Sequence, residues 1–240
     1  MTRAEMLSNL VVEGRRYDLA KLRELAAELD LPLADVLVVA EHPVPACLLP
    51  PPRDGRALCE FAYRVTHCDH AQLASLEASV SRLVSADSSS GRGVSDAGAA
   101  TASDRDGFAG VLDGLLRNRG FGVMELPFAG LSRSTINGML NGRWHTLQQL
   151  KAMAGPLGWR YEDLAAVAGE PLGAFNDCSM LCHHVGRVYV AAIPLTTAQL
   201  IEACAEADRV SGREDQGAWR PWGRPLCPGE VVRQDGFDRG

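Results

Sequence analysis

Ala129-Gly130-Leu131-Ser132-Arg133-Ser134-Thr135-Ile136-Asn137-Gly138-Met139-Leu140-Asn141-Gly142-Arg143 is the stretch on which the reading of this chain turns. Ser132 can accept a hydrogen bond from a backbone N–H in the first turn of a helix, the ordinary task of an N-cap hydroxyl. Ile136, Met139 and Leu140 follow at i, i+3 and i+4 and predict one buried stripe. The opposite face then presents Arg133, Ser134, Thr135, Asn137 and Asn141, with Arg143 just beyond the Asn-Gly pair that stops the helix.

On the N-terminal side, Val111, Leu112, Leu115 and Leu116 predict a helix closed by Gly120, followed by a short scanning segment over 122–129. On the C-terminal side, Thr146 can cap a helix with Leu147, Leu150, Met153, Ala154 and Leu157 inward, ended near Gly158. A further helix is expected from Tyr161 to Ala168. This order, with Glu125-Leu126 ahead of the quoted stretch and an Asp163-Leu164 near the end, resembles the Cro/CI-like (XRE-type) helix-turn-helix family over about 108–169. The chain departs from the family pattern in its scanning segment, where Leu126 stands in place of a small residue and is followed by Pro127. The resemblance implies a homodimeric transcriptional regulator that reads double-stranded DNA. Its major-groove contacts would come from Ser132, Arg133, Ser134, Thr135, Asn137, Asn141 and Arg143, because donors and hydroxyls at a helix N-terminus reach base edges and phosphates alike.

An internal repeat extends the argument. Gly14, Arg15, Leu19, Leu22, Ala26, Leu29, Asp35, Val39, Ala40 and Pro43 recur 128 residues later as Gly142, Arg143, Leu147, Leu150, Ala154, Leu157, Asp163, Val167, Ala168 and Pro171. The shared leucines and alanine fall at helical spacing, so each copy is expected to be one helical packing unit. At that offset Met1 aligns with Ala129, so the first copy lacks the two leading helices. It also places Glu5 where the second has Arg133. The first copy is acidic and is expected to serve in packing or dimerisation, not in reading DNA.

The expected fold is mainly α: two helical halves with related Cro/CI-like units, and a small strand-helix element at the C-terminus. Domain 1–85 holds the truncated repeat and two more helices, over 56–66 and 71–84, the second capped by Asp69. The Ser/Gly/Ala-rich run 86–106 has a linker's composition. The DNA-binding domain is expected over 107–173. Residues 174–240 would supply dimerisation or sensing, through a strand at Val188–Ile193 and a helix at Thr197–Val210. A lone strand needs a partner, and a second protomer could provide one.

Net charge is −6, against the usual balance of a nucleic-acid binder. Between Arg117 and Lys151, however, five bases (Arg117, Arg119, Arg133, Arg143, Lys151) meet one acid, Glu125, which predicts a local basic face. No run approaches the apolar length of a bilayer span, and the N-terminus lacks a secretory layout, so no membrane association and a cytoplasmic location are expected. Seven scattered cysteines read as free thiols. Cys178, Cys182, His183 and His184 form the one run with metal-ligand chemistry, yet without a second ligand pair; no metal or cofactor is expected. His67-Cys68-Asp69-His70 is weaker still, since Asp69 has a capping task. Nothing marks a nucleophile with its base or a phosphate loop, so the chain does not read as an enzyme. The second reading is an adaptor that uses the same scaffold to bind another regulator or RNA polymerase.

Overall fold

The computed structural model describes residues 1–88, 107–122, 131–143, 145–171 and 180–212. Among them are eleven α-helices and no β-strand. The helices are α1 (Arg3–Glu13), α2 (Leu19–Glu28), α3 (Leu33–Val39), α4 (Gly55–Val65), α5 (His70–Ser88), α6 (Gly107–Arg117), α7 (Arg133–Leu140), α8 (Leu147–Leu157), α9 (Tyr161–Val167), α10 (Met180–Ala191) and α11 (Thr197–Ser211). No helix among the described residues is long and apolar enough to cross a membrane. The scanning segment after Gly122, most of the 86–106 run, Cys178 and the last part of the chain lie outside the described residues; 86–88 are the end of α5.

The mainly helical expectation holds, but the strand does not: Val188–Ile193 belongs to α10 and the turn after it. β-Branched and aromatic residues there favour extended backbone, yet Val185, Val188, Tyr189 and Ala192 are the buried positions, at i, i+3, i+4 and i+7. Tertiary burial at helical period overrides the local propensity. The crossing of α10 over α8 fixes it in place. A Cβ on Gly186 would lie 2.4 Å from the Gly155 carbonyl oxygen and 2.5 Å from Gly158 Cα, so the two backbones meet directly. Gly158 also ends α8 in the left-handed region at φ 66°.

Two series of helices follow the same order. α2 and α8 begin 128 residues apart, as do their Asp18 and Thr146 caps, and Leu22, Leu25, Ala26 and Leu29 are buried as Leu150, Met153, Ala154 and Leu157 are. α3 and α9 share boundaries at that offset, and both bury the aspartate at their third position, Asp35 and Asp163. The correspondence then continues at 127. Leu58, Phe61, Ala62 and Val65 of α4 match Val185, Val188, Tyr189 and Ala192, while Leu73, Leu76 and Val80 of α5 match Leu200, Ala203 and Ala207 of α11. Even the caps agree: Asp69 with Gln72 before α5, and Thr196 with Gln199 before α11.

The packing is reciprocal around these last four helices. α4 lies on α11, α5 lies on α10, and α5 and α11 face each other. Tyr189 of α10 donates its hydroxyl to the Ala62 carbonyl at 2.8 Å and stands edge-on to Phe61 and Phe121. The other end of the molecule is knit between the halves as well, α1 packing on α9 and α3 on α6.

Candidate functional site

Helix α7 forms as its sequence predicts. Ser132 has extended backbone and its Oγ accepts from the Thr135 N–H at 3.2 Å; the same oxygen lies 2.8 Å from both Ser134 Oγ and Thr135 Oγ1. Three hydroxyls are thus gathered at the N-terminus, where free N–H groups point outward. Ile136, Met139 and Leu140 are buried. Ser132, Arg133, Ser134, Asn137, Asn141 and Arg143 are exposed and Thr135 is half-buried, so six of the seven expected contact residues lie open to solvent. The helix closes through Asn141 and Gly142, with the Arg143 N–H donating to the Gly138 carbonyl at 3.0 Å. Aliphatic carbons of Arg143 then lie along Gly138, which a Cβ would meet at 3.6 and 3.9 Å, ordinary contact distances.

The basic face is smaller than the composition suggests. Arg119 is buried, its guanidinium forked onto Asp35 at 2.6 and 2.9 Å. Arg117 is tied to Asp113 at 2.8 Å, one helical turn back, and Lys151 is half-buried. Arg133 and Arg143 make no ion pair among the described residues, and they are the two arginines offered beside the exposed asparagines.

The first series does not present an equivalent face. α1 buries Met6, Leu7 and Leu10 against α9 and leaves Val11 and Val12 exposed, Val12 at 81%. The residues 128 ahead of Val11 and Val12 are Met139 and Leu140, which α7 buries. α1 is therefore turned about its axis relative to α7, and Glu5 does not occupy the place of Arg133. Arg3 at its start reaches Asp163 of α9 with two hydrogen bonds of 2.8 Å.

Between α3, the turn after α6 and the α8–α9 turn lies a polar cluster that the sequence did not announce. Asp35, fully buried, accepts from Asn118 Nδ2 (2.9 Å), both terminal nitrogens of Arg119, and Trp159 Nε1 (2.9 Å). Arg119 also donates to the carbonyls of Leu115 and Leu157. Arg53, ahead of α4, caps two helix ends by donating to the carbonyls of Arg119 and Ala192. Burial, with no acidic partner among the described residues, pulls its guanidinium down to about 10, and the C-terminal carbonyl dipoles are what compensate the charge. The one available signal for this cluster was an aspartate placed identically in both repeats within an apolar run.

The histidine and cysteine runs are used structurally where they are described. His184 Nε2 lies 3.2 Å from Glu77 and its Nδ1 3.5 Å from that of His70, joining α10 to α5. His183 is half-buried, and the Cys182 side chain is outside the described residues. Asp69 caps α5 as expected, accepting from the Gln72 N–H at 2.9 Å. No group of three histidine, cysteine or acidic side chains is assembled for a metal among the described residues. Cys47, Cys59, Cys68 and Cys204 are in no disulfide among the described residues, and burial pushes Cys204 up to about 12, far from a reactive thiolate.

No family model, curated protein or solved structure matches the chain.

Proposed function

We propose that the chain is a sequence-specific DNA-binding regulator whose reading element is α7. The observation that carries this is the division of that helix: an apolar face wholly buried, and an opposite face with Arg133, Ser134, Asn137, Asn141 and Arg143 open to solvent behind a cluster of hydroxyls. Arg and Asn are the side chains whose donor and acceptor geometry discriminates base edges in the major groove, and hydroxyls at a helix N-terminus suit backbone phosphates. We read the two helical series as copies of one unit, the second with a reading helix in the helix-turn-helix position and the first with α1 committed to packing on α9. One chain then carries one reading head, and two chains together would read paired half-sites.

The test starts from a random-sequence duplex pool enriched with the full chain. Arg133→Ala combined with Asn137→Ala should lower affinity for the enriched duplex by about tenfold to a thousandfold while the helical spectrum is unchanged. Equal binding by the double variant would overturn the assignment.

The burial of Arg119 and the pairing of Arg117 favour a second reading, since they strip phosphate-binding charge from the α7 side. On that reading α7 docks on another regulator or on RNA polymerase. A wild-type chain that enriches no duplex yet forms a complex with a purified polymerase would decide for it.

A further inference from the structure

We propose that Asp35, from the first series, is the positioning residue of the reading helix in the second, so that the α6–α9 unit takes its working arrangement only in the company of α3. The inference rests on α7 being the DNA-reading element.

The geometry is that of one carboxylate holding both ends of the segment that contains α7. Going into that segment, the turn that follows α6 supplies Asn118 and Arg119. Coming out of it, the turn between α8 and α9 supplies Trp159. Asp35 Oδ1 accepts from Asn118 and Arg119 Nη1, each at 2.9 Å, and Oδ2 accepts from Arg119 Nη2 at 2.6 Å and Trp159 Nε1 at 2.9 Å. Arg119 closes the loop by donating to the Leu157 carbonyl at the end of α8. All these groups are buried, with Arg119 at 1% and Trp159 at 1% exposure, so none can exchange its partner for water. Without the carboxylate, the Arg119 guanidinium would keep only the Leu115 and Leu157 carbonyls and lose its counter-charge, and the Trp159 indole N–H and the Asn118 amide would lose this acceptor inside the protein.

Among the described residues the second series supplies no such acid for itself. Its own aspartate at the matching position, Asp163, is turned outward to the first series and holds Arg3 at the start of α1. The two aspartates are therefore exchanged between the halves, Asp35 serving α6–α9 and Asp163 serving α1. This accounts for two acids kept at one place in both repeats, and it makes the second unit dependent on the first. The orientation of α7 relative to its neighbours decides whether its side chains reach base edges or merely the backbone. Misalignment of about an ångström removes directional contacts and leaves electrostatic ones.

The experiment compares full-length wild type, Asp35→Asn, and the apolar pair Asp35→Leu with Arg119→Leu. Two readouts are taken. One is the ratio of affinity for the enriched duplex to that for the unselected random pool; the other is amide hydrogen exchange over 133–157. Asp35→Asn should reduce the affinity ratio at least tenfold and raise exchange in α7 and α8, while α4 and α11 exchange as in wild type. The apolar pair removes the unmet charge, so its melting temperature should recover, and the affinity ratio should not. Unchanged exchange in α7 and α8 for Asp35→Asn would overturn the proposal, as would a ratio that returns with stability in the apolar pair. Should Asp35→Asn fail to fold, the apolar pair alone decides by the same two readouts. A wild-type chain that enriches no duplex would instead sink the DNA reading, and the exchange readout would still decide whether Asp35 positions α7.

Discussion

Glu41 and Gly169 occupy the same place in two matching helix ends, one residue past the C-cap of α3 and of α9, with φ of 56° and 72°. The backbone bonds around them agree as well. The next N–H, of His42 or Glu170, donates to Leu37 or Ala165, so each turn satisfies the carbonyls its helix leaves open. Glycine reaches that region at no steric cost, whereas a side chain there costs roughly 1–2 kcal/mol. Glu41→Gly should therefore stabilise the protein by about 0.5–1 kcal/mol, once glycine's greater freedom in the unfolded chain is subtracted. The exposed Glu41–Arg15 pair that it removes contributes little. A rise in denaturation midpoint with unchanged slope would bear this out; a fall would mean that the ion pair outweighs the strain. Asp30, in the left-handed region at φ 47° where the second series has Gly158, should gain less from the same change because aspartate tolerates that region better.

Gly138 and Gly186 both lie within helices, and they should respond oppositely to alanine. At Gly186 the added methyl would collide with backbone at 2.4 and 2.5 Å, atoms that cannot swing aside, so α10 must lift from α8. A loss of about 3 kcal/mol or more is expected. At Gly138 the methyl meets only Arg143 carbons at ordinary distances, and alanine's helix propensity should stabilise α7 by up to about 1 kcal/mol. Chemical denaturation of the two variants checks the contrast; equal effects would refute the backbone crossing.

Acid should weaken the bonds that Glu206 makes within α11 and, through Ser79, to α5. Two hydrogen bonds from Arg209, with help from Ser79, hold its carboxyl down to about 2, against an ordinary value of 4.5. A lowered folded pKa gives stabilisation that is complete above about pH 4.5 and fades as pH falls toward 2. Glu206→Gln should flatten the dependence of stability on pH within that window and leave it unaltered near neutrality. An unchanged acid slope in the variant would assign the loss to other carboxyls.

Much of this architecture is legible in the chain because it rests on periodicity and caps. Leu147, Leu150, Met153, Ala154 and Leu157 announce α8, and Thr146 and Gly158 mark its two ends where the structure has them. The α10 strand reading failed for a physical reason: Val188, Tyr189 and Val190 favour extended backbone locally, and burial of Val185, Val188, Tyr189 and Ala192 at helical period, with the close seat at Gly155 and Gly158, overrides them. The match of α4 with α10 was hidden because identity has gone and only burial remains, Ala62 standing for Tyr189; that of α5 with α11, where Ala71-Gln72-Leu73 recurs as Ala198-Gln199-Leu200, was hidden because the offset slips from 128 to 127. The outward residues of α7 were found because they follow from the apolar stripe by elimination. The Asp35 cluster was not, since its partners are 83 to 124 residues away and no local pattern encodes such a distance.

The reciprocal packing of α4 and α5 with α11 and α10 bears on how many chains would meet on a duplex under the proposed function. Amphipathic helices of this kind are a common means of pairing two protomers, but here each already faces its counterpart within the same chain. The strand that was to pair across a two-fold axis is absent as well, because those residues are helical. The free chain is accordingly expected to be monomeric at micromolar concentration, and two chains should assemble only on a duplex carrying two inverted half-sites. Light scattering of the free chain, and mass measurement of its complexes with duplexes bearing one or two copies of the enriched sequence, would check this. Expected are one chain on the single site and two on the pair, with the second binding more tightly when the sites lie a whole helical turn, about 10 base pairs, apart. A stable dimer in free solution would contradict the prediction and locate the pairing surface outside the four-helix bundle, with the exposed Val11 and Val12 of α1 the first place to substitute.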